Sequence, residues 1–422
     1  MNIIDNRKIA YMLSSFPSIA QTFVIREIYE VKKELPVVIV SLTGQKRKSY
    51  RIHEQALGLV KETYYFPGII SIKLWQTIFS VFKNSHNTWT NLWKEGRRTY
   101  VRLEKSGYLD SIFFILKMLY YSRVLQNENV YHIHVHFAEK ETTAGLVLAD
   151  ALNITFSFTA HGRDLFLQNI STLTEKQQKA GFMVLISEYT KNYFISSQAL
   201  NIKADTGNVL RIYMGINPLD YNFISFKERK EMLNTNGGIP YIITVGRLVD
   251  EKGYPYILGA CRILKEQGLK FKYTIVGKGS RKKILQFKKL CRVYHIDDCV
   301  EILGALTMEE ILPLYNRAQL FVLGSVREGL PVVLMEALSC GIPTVATNIT
   351  GIPELIKNGE NGILVSSGDE RVLAEAMKKL LTDDVLAEKF SIAGRKTILE
   401  TFDIKKTAKD LIQAFNTQLN KI

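Results

Sequence analysis

Short runs of β-branched and aromatic residues alternate with longer amphipathic stretches along most of the chain, the pattern of βαβ units wound about parallel sheets. In the first half, the runs 9–13, 37–42, 131–137, 154–159 and 183–187 read as buried strands. In the second half, 241–245, 273–276, 300–303, 320–323, 343–346 and 362–365 read the same way. Two doubly wound α/β sheets accommodate these runs better than one. The stretch 214–239, rich in Gly, Pro, Asn and charge, reads as a crossing between two domains, and 403–422 has a terminal helical pattern. Between 66 and 127 lies a long helical insert that holds all three tryptophans, Trp75, Trp89 and Trp93.

A length of 422 residues is enough for two to three domains with large buried cores. Hydrophobic content of 46% and charged content of 23% are those of an ordinary globular protein, so disorder is not expected. The formal net charge of +14 calls for an anionic partner, for which nucleic acid, anionic lipid and nucleotide diphosphates all qualify. No zinc-finger spacing, RNP-like aromatic motif or long basic tail supports nucleic acid, so none is expected as a partner. Cys261, Cys291, Cys299 and Cys340 form no C-x-x-C pair and read as reduced, mostly buried thiols. The N-terminus lacks a basic region followed by a cleavage site, and the apolar stretch 108–121 is broken by Asp110 and Lys117. A cytoplasmic protein is expected.

The most informative segment is 325–354, SVREGLPVVLMEALSCGIPTVATNITGIPE, in which Glu328 and Glu336 stand eight residues apart around Gly329-Leu330-Pro331. A strand at 319–324 followed by a loop and a helix at 331–340 suits it, with Pro331 at the first helical position and Gly341 just past the end. Glu328 would then lie at the carboxyl end of a strand, where open α/β sheets bind ligands, and Glu336 on the helix facing the same crevice. Amides at the helix start, near Leu330 and Val332, would suit a diphosphate. A pair of solvated acidic side chains is the alternative.

This segment resembles the retaining glycosyltransferases of family 4, marked by Glu-x7-Glu within an EGLP…EA…G.P pattern. The resemblance continues in YIITVGRLVDEKG (241–253), which looks like the family's donor-phosphate loop, in FTAHGRD (158–164), and in NVLRIYMGINP (208–218), which looks like its interdomain strand. It implies a GT-B architecture, two Rossmann-like domains facing each other across a deep cleft. The implied domains are 1–214, acceptor-binding and carrying the basic insert; 215–402, nucleotide-sugar-binding; and a helix at 403–422 that returns to the first. It further implies that Arg247 and Lys252, flanked by Gly246 and Gly253, neutralise the donor diphosphate. Glu336 would hydrogen-bond the ribose, and Glu328 the sugar hydroxyls beside the reacting centre. Gly329, Leu330, Pro331 and Val332 would add backbone contacts, and His161 would serve as the active-site histidine. The base would be read near Gly277 and 304–306. No cofactor is expected beyond the donor itself, a UDP-sugar ahead of a GDP-sugar. The partners implied are a nucleotide sugar and a saccharide or lipid-linked saccharide acceptor.

No Asp-x-Asp triplet occurs, and the adjacent pairs Asp297-Asp298 and Asp383-Asp384 do not replace it, so the transfer is expected to need no metal. His132, His134 and His136 alternate along HIHVHF and share one face of a strand, which invites either a metal or plain sheet structure. In similar family strands the last histidine lies near the cleft, which makes His136 an acceptor-side candidate. The loop SSFPSIAQTF (14–23) lacks the Gly-Gly pair of many family members. Its Phe16 and Pro17 look like the colanic-acid and exopolysaccharide branch instead. Over 71–125 there are nine Lys or Arg against three Asp or Glu, so the insert either packs on the sheet with a solvated basic face or lies on anionic lipid at the inner membrane face. The expected activity is sugar transfer to a surface-polysaccharide or lipid-linked acceptor. A small soluble acceptor and a non-catalytic scaffold that binds nucleotide sugar are the alternatives.

Overall fold

The computed structural model describes residues 6–17, 22–44, 54–199, 206–235 and 237–420. The chain divides into two compact units, 1–213 with 407–422, and 214–406. Each is built on one wholly parallel sheet. In the first unit the strands are β1 (Lys8–Leu13), β2 (Val37–Ser41), β3 (Thr63–Tyr65), β4 (Val130–His136), β5 (Thr155–Ala160), β6 (Phe182–Leu185) and β7 (Val209–Arg211). Their order in the sheet is β3-β2-β1-β4-β5-β6-β7. The second unit holds β8 (Tyr241–Val245), β9 (Lys272–Val276), β10 (Val300–Gly304), β11 (Leu320–Leu323), β12 (Thr344–Thr347) and β13 (Ile363–Val365), in the order β10-β9-β8-β11-β12-β13. Both sheets therefore reverse direction once, between β1 and β4 and between β8 and β11. That reversal leaves a crevice at the carboxyl ends of the strands.

The period of two decides which side chains reach which layer. Ala10 and Met12, Val38 and Val40, Ile133 and Val135, and Phe156 and Phe158 all enter one core of the first unit. Ile9, Tyr11 and Leu13, Ile39, Tyr131 and Val184 enter a second core on the opposite face. That second layer includes Ala408, Leu411, Ile412 and Phe415 of the terminal helix Ile404–Leu419. The insert is a set of helices, Ile72–Asn84, His86–Asn91, Arg97–Glu104 and Tyr108–Asn127, with one π-helical stretch at Leu92–Gly96. Its Leu74, Ile78, Val81, Leu92 and Ile115 join the first core.

Several local expectations change. The strand Thr63–Tyr65 is too short to show alternation, and of 208–218 only Val209–Arg211 is a strand, at the edge of the first sheet. Pro331 is the N-cap, in extended conformation, and the helix begins at Val332. Gly341 does end it, at φ +73. The stretch 214–239 contains a helix, Phe226–Thr235, because Phe226 and Arg229 are both buried there. Arg229 is fully buried and donates to the carbonyls of Ile224 (3.1 Å), Tyr315 (2.6 Å), Asn316 (2.7 Å), Ala318 (3.0 Å) and Cys340. It thus satisfies the carbonyl ends of the helices Met308–Arg317 and Val332–Ser339, where a cation is favoured. Burial pulls its pKa down to about 10, still far above neutrality. Arg229→Ala would leave these carbonyls buried and unpaired, and should cost about 3 kcal/mol or more of stability. Denaturant unfolding would check this; a loss below about 1 kcal/mol would show that the carbonyls find other partners.

Candidate functional site

In the second unit, β8 and β11 are neighbours at the reversal, and the loops that leave their carboxyl ends are pressed together. Gly253, at φ +63, leaves no room for a side chain: a Cβ there would lie 1.8 Å from the Gly324 carbonyl oxygen. On the other side of the β8 loop, a Cβ on Gly277 would lie 1.8 Å from the Gly246 carbonyl oxygen. The amide of Val326 also donates to the Glu251 carbonyl at 2.8 Å. Backbone contact thus sets the spacing between the two loops.

That spacing brings Lys252 and Glu328 into an ion pair through Nζ and Oε1, with the side chains 14% and 11% exposed. The Ser325 hydroxyl donates to the same oxygen at 2.8 Å. Arg247, on the β8 loop, is exposed and forms no ion pair among the described residues. Gly246 follows β8 directly, its amide bonded to the Val276 carbonyl at 2.8 Å. Gly329 is half-buried, Leu330 and Pro331 are buried, and Val332 opens the helix. A positive group, a carboxylate and a helix start therefore share one edge of the sheet. Such an edge can take a phosphate and a hydroxylated group side by side.

Glu336 is buried at 7% exposure. Its Oε1 accepts from the Tyr221 hydroxyl and its Oε2 from the Tyr315 hydroxyl, each at 3.1 Å. One tyrosine on each oxygen fixes the orientation of the carboxylate. Burial, with Glu336 beside it, holds the Tyr315 hydroxyl well above the usual phenol range and keeps it a donor. Arg395 in turn donates to the carbonyls of Pro218 and Ser339, both at 2.9 Å, and steadies the segment that carries Tyr221. Neither tyrosine nor arginine stands out in the sequence. Ser325 could have been found there, three residues before Glu328.

In the first unit, the three histidines of β4 are buried on the face opposite Ile133 and Val135. The register pairs His132, His134 and His136 with Thr155, Ser157 and Thr159 of β5. His132 bonds the Thr155 and Ser157 hydroxyls, each at 2.7 Å, and His134 bonds those of Ser157 (2.8 Å) and Thr159 (3.1 Å). His136 contacts His161 Nε2 through Nδ1 at 3.0 Å and Glu27 Oε1 through Nε2 at 3.1 Å. The Tyr11 hydroxyl donates to that same Glu27 oxygen at 3.0 Å. The His136–His161 contact needs one proton between Nδ1 and Nε2, so the two rings act as donor and acceptor to each other. Burial, with His136 beside it, holds the His161 pKa well below the usual histidine value. The backbone around His161 is fixed by Asp164, which accepts from the His161 amide at 2.9 Å and the Ala138 amide at 2.9 Å.

Two acceptor-side candidates change position. His136 is wholly buried and stands behind His161, so it orients that ring and presents nothing to a ligand. Phe16 belongs to the core with Ile9, Leu13 and Val24, because Ser41 Oγ accepts from its amide at 3.1 Å and draws the loop inward. Pro17 is half-buried, and residues 18–21 of that loop lie outside the described residues. Glu27, by contrast, was missed. It lies on the apolar stripe of Val24, Ile28 and Val31 in the helix Thr22–Val31, and an acid at such a position is the signal that could have found it. Glu27, His134 and His136 present ligand atoms within 4.8 Å of one another, a gathering the sequence spacing does not reveal. Each of the two imidazoles already has a protein partner on both nitrogens, and the group closes as a hydrogen-bonded chain.

Two doubly wound α/β units with loops at the carboxyl edges of their sheets make a fold that solved structures share. Residues 225–397 match the family model described as glycosyl transferases group 1. The amylovoran biosynthesis glycosyltransferase AmsK of Erwinia amylovora is 34% identical over 211 residues, 49% of this chain and 49% of that protein. The putative colanic acid biosynthesis glycosyltransferase WcaL of Escherichia coli (strain K12) is 40% identical over 153 residues, 34% of this chain and 37% of that one. The chain thus spans about half or less of the length of these curated relatives. The structure of Anabaena Alr3699/HepE in complex with UDP and glucose has a TM-score of 0.71 at 14% identity, covering 97% of this chain and 100% of its own. The fold is GT-B, with two Rossmann-like domains, and the match to the glycosyl transferases group 1 model lies in the second unit, at residues 225–397.

The buried histidines give a sign to the pH dependence of stability. Burial pushes the His132 pKa down to about 3, and that of His134 well below the ordinary value. Folded, these rings stay neutral, whereas the unfolded chain binds protons below about pH 6.5. Their contribution is therefore complete above about pH 6.5 and is lost as pH falls, at up to about 1.4 kcal/mol per histidine per pH unit. Thermal unfolding should show a Tm that drops between pH 7 and pH 5, with a shallower slope for His132→Gln. An unchanged slope would contradict the assignment.

Proposed function

We propose that the chain is a glycosyltransferase enzyme of the hexosyltransferase type. It moves a sugar from a nucleotide-diphosphate sugar to a surface-polysaccharide or lipid-linked saccharide acceptor, with retention of anomeric configuration and without a metal. The observation that carries the reading is the Lys252–Glu328 pair, held between two loops at the reversal of the sheet beside the exposed Arg247. Arg247 and Lys252 neutralise the departing diphosphate in place of a metal ion. The amides from Gly329 to Val332 add a helix start to the same anion. Glu328 takes sugar hydroxyls, and Glu336, fixed by its two tyrosines, takes those of the ribose. His161 is the catalytic candidate of the first unit, a neutral imidazole able to bond a sugar hydroxyl.

In the step itself, the bond from the anomeric carbon to the phosphate oxygen breaks, and a bond to the acceptor oxygen forms on the same face. The acceptor proton passes to the departing diphosphate, so no protein nucleophile is required. A polysaccharide acceptor is favoured by the curated relatives AmsK and WcaL, whose names are those of amylovoran and colanic acid biosynthesis. A uridine diphosphate donor is favoured by the fold neighbour that holds UDP and glucose.

Transfer of labelled sugar from UDP- and GDP-sugars to a lipid-extractable or polysaccharide acceptor tests the reading. Lys252→Ala and Glu328→Gln should each lower kcat by about 100-fold or more with the fold intact, and EDTA should change nothing. Full turnover in either folded variant, or loss of turnover on chelation, would overturn it.

A further inference from the structure

The helix Ile72–Asn84 has two apolar faces. Leu74, Ile78 and Val81 are buried in the core of the first unit. Ile72, Trp75, Phe79 and Phe82 follow one another at intervals of three and four residues, and all are exposed. At 3.6 residues per turn they occupy an arc of about 80° on the outward side. Exposure reaches 74% for Ile72, 51% for Trp75 and 65% for Phe79, and the preceding Ile70 is 98% exposed.

This surface is continuous along the chain. The Trp75 indole N–H donates to the Ile69 carbonyl at 2.9 Å and ties the preceding turn to the helix. Beyond the helix, the Phe82 ring meets Trp89 edge-on at 5.2 Å, and Trp89 stacks on Trp93 at 5.8 Å. A core-facing helix needs one apolar stripe. The second stripe lies outside the core apart from Phe82, which meets the half-buried Trp89, and large exposed aromatic surfaces of this kind mark interaction sites.

Charge selects the occupant. Between Ile69 and Lys94 there are three lysines, Lys73, Lys83 and Lys94, and no Asp or Glu. All three lysines are exposed. Lys83 borders the apolar arc, and Lys73 lies farther round on the solvent side. Tryptophan and phenylalanine on one side, with lysines free to reach upward beside them, match a helix lying in the plane of a bilayer interface. Cationic flanks with no acidic residue among them match anionic headgroups. Among the described residues no helix is long and apolar enough to cross a membrane.

We propose that the turn at Ile69–Ile70, the outward face of helix Ile72–Asn84 and the Trp89–Trp93 pair dock on an anionic lipid bilayer, with Ile70, Trp75 and Phe79 in the acyl boundary. The proposal goes beyond the transferase reading and does not rest on it, since binding is measured without donor or acceptor.

The test is flotation of the full chain with large vesicles of phosphatidylcholine, with and without phosphatidylglycerol. The expected result is binding to the phosphatidylglycerol vesicles about tenfold or more tighter than to the neutral ones, weakened by salt, with a blue shift of tryptophan emission. Trp75→Ser with Phe79→Ser, both at exposed positions, should abolish it while circular dichroism and Tm hold. Lys73→Glu with Lys83→Glu should remove the preference for phosphatidylglycerol. No association with either vesicle, or association untouched by the serine pair, would overturn the proposal. So would a wild-type dimer that the serine pair converts to monomer without any vesicle binding, which would give the face to a second copy of the chain.

Discussion

The approach of the Gly253 Cα to the Gly324 carbonyl is the constraint on which the candidate donor site depends. No side chain fits between those two loops, so the backbone of the β8 loop and that of the β11 loop meet in direct contact. The spacing of the two backbones that carry Lys252 and Glu328 is then set by main-chain contact. Catalytic groups held on rigid elements need little reorganisation when charge develops, and that is where electrostatic assistance is largest. The second loop is itself supported from behind. Arg229 and Arg395 bond the carbonyls at the end of helix Val332–Ser339, and two tyrosines hold the Glu336 carboxylate.

The first unit uses a different economy. Its candidate histidine is oriented by a buried chain from Tyr11 through Glu27 and His136 to His161. Buried imidazoles would be costly if left unpaired. The hydroxyls of Thr155, Ser157 and Thr159 on the adjacent strand remove that cost for His132 and His134, and Phe415 of the terminal helix packs over the same face. A run of alternating histidines is thus mostly sheet structure, and its last member bonds the candidate His161.

Much of this is legible in the sequence because it is local. Short runs of β-branched and aromatic residues locate the main strands, and the order of Gly, Arg and Lys after β8 and of Glu, Gly and Pro after β11 marks the loops. What was not legible depends on partners distant in the chain. Glu27 and His136 are 109 residues apart, and Tyr221 and Glu336 are 115 apart. Arg229 lies in a stretch whose composition suggests a linker, and only its burial shows that it pins two helix ends. Phe16, an acceptor-side candidate by resemblance of its loop, is in the core because its amide donates to the Ser41 hydroxyl, 25 residues on.

The most direct test of the central claim is calorimetric titration of UDP and a panel of UDP- and GDP-sugars into the intact chain in the presence of EDTA, repeated with Lys252→Ala. If the two loops form a preorganised diphosphate site, one nucleotide will bind without metal, and the variant will weaken it by about 10-fold or more. Equal affinity in the two proteins, or binding that appears only when a divalent cation is added, would contradict it.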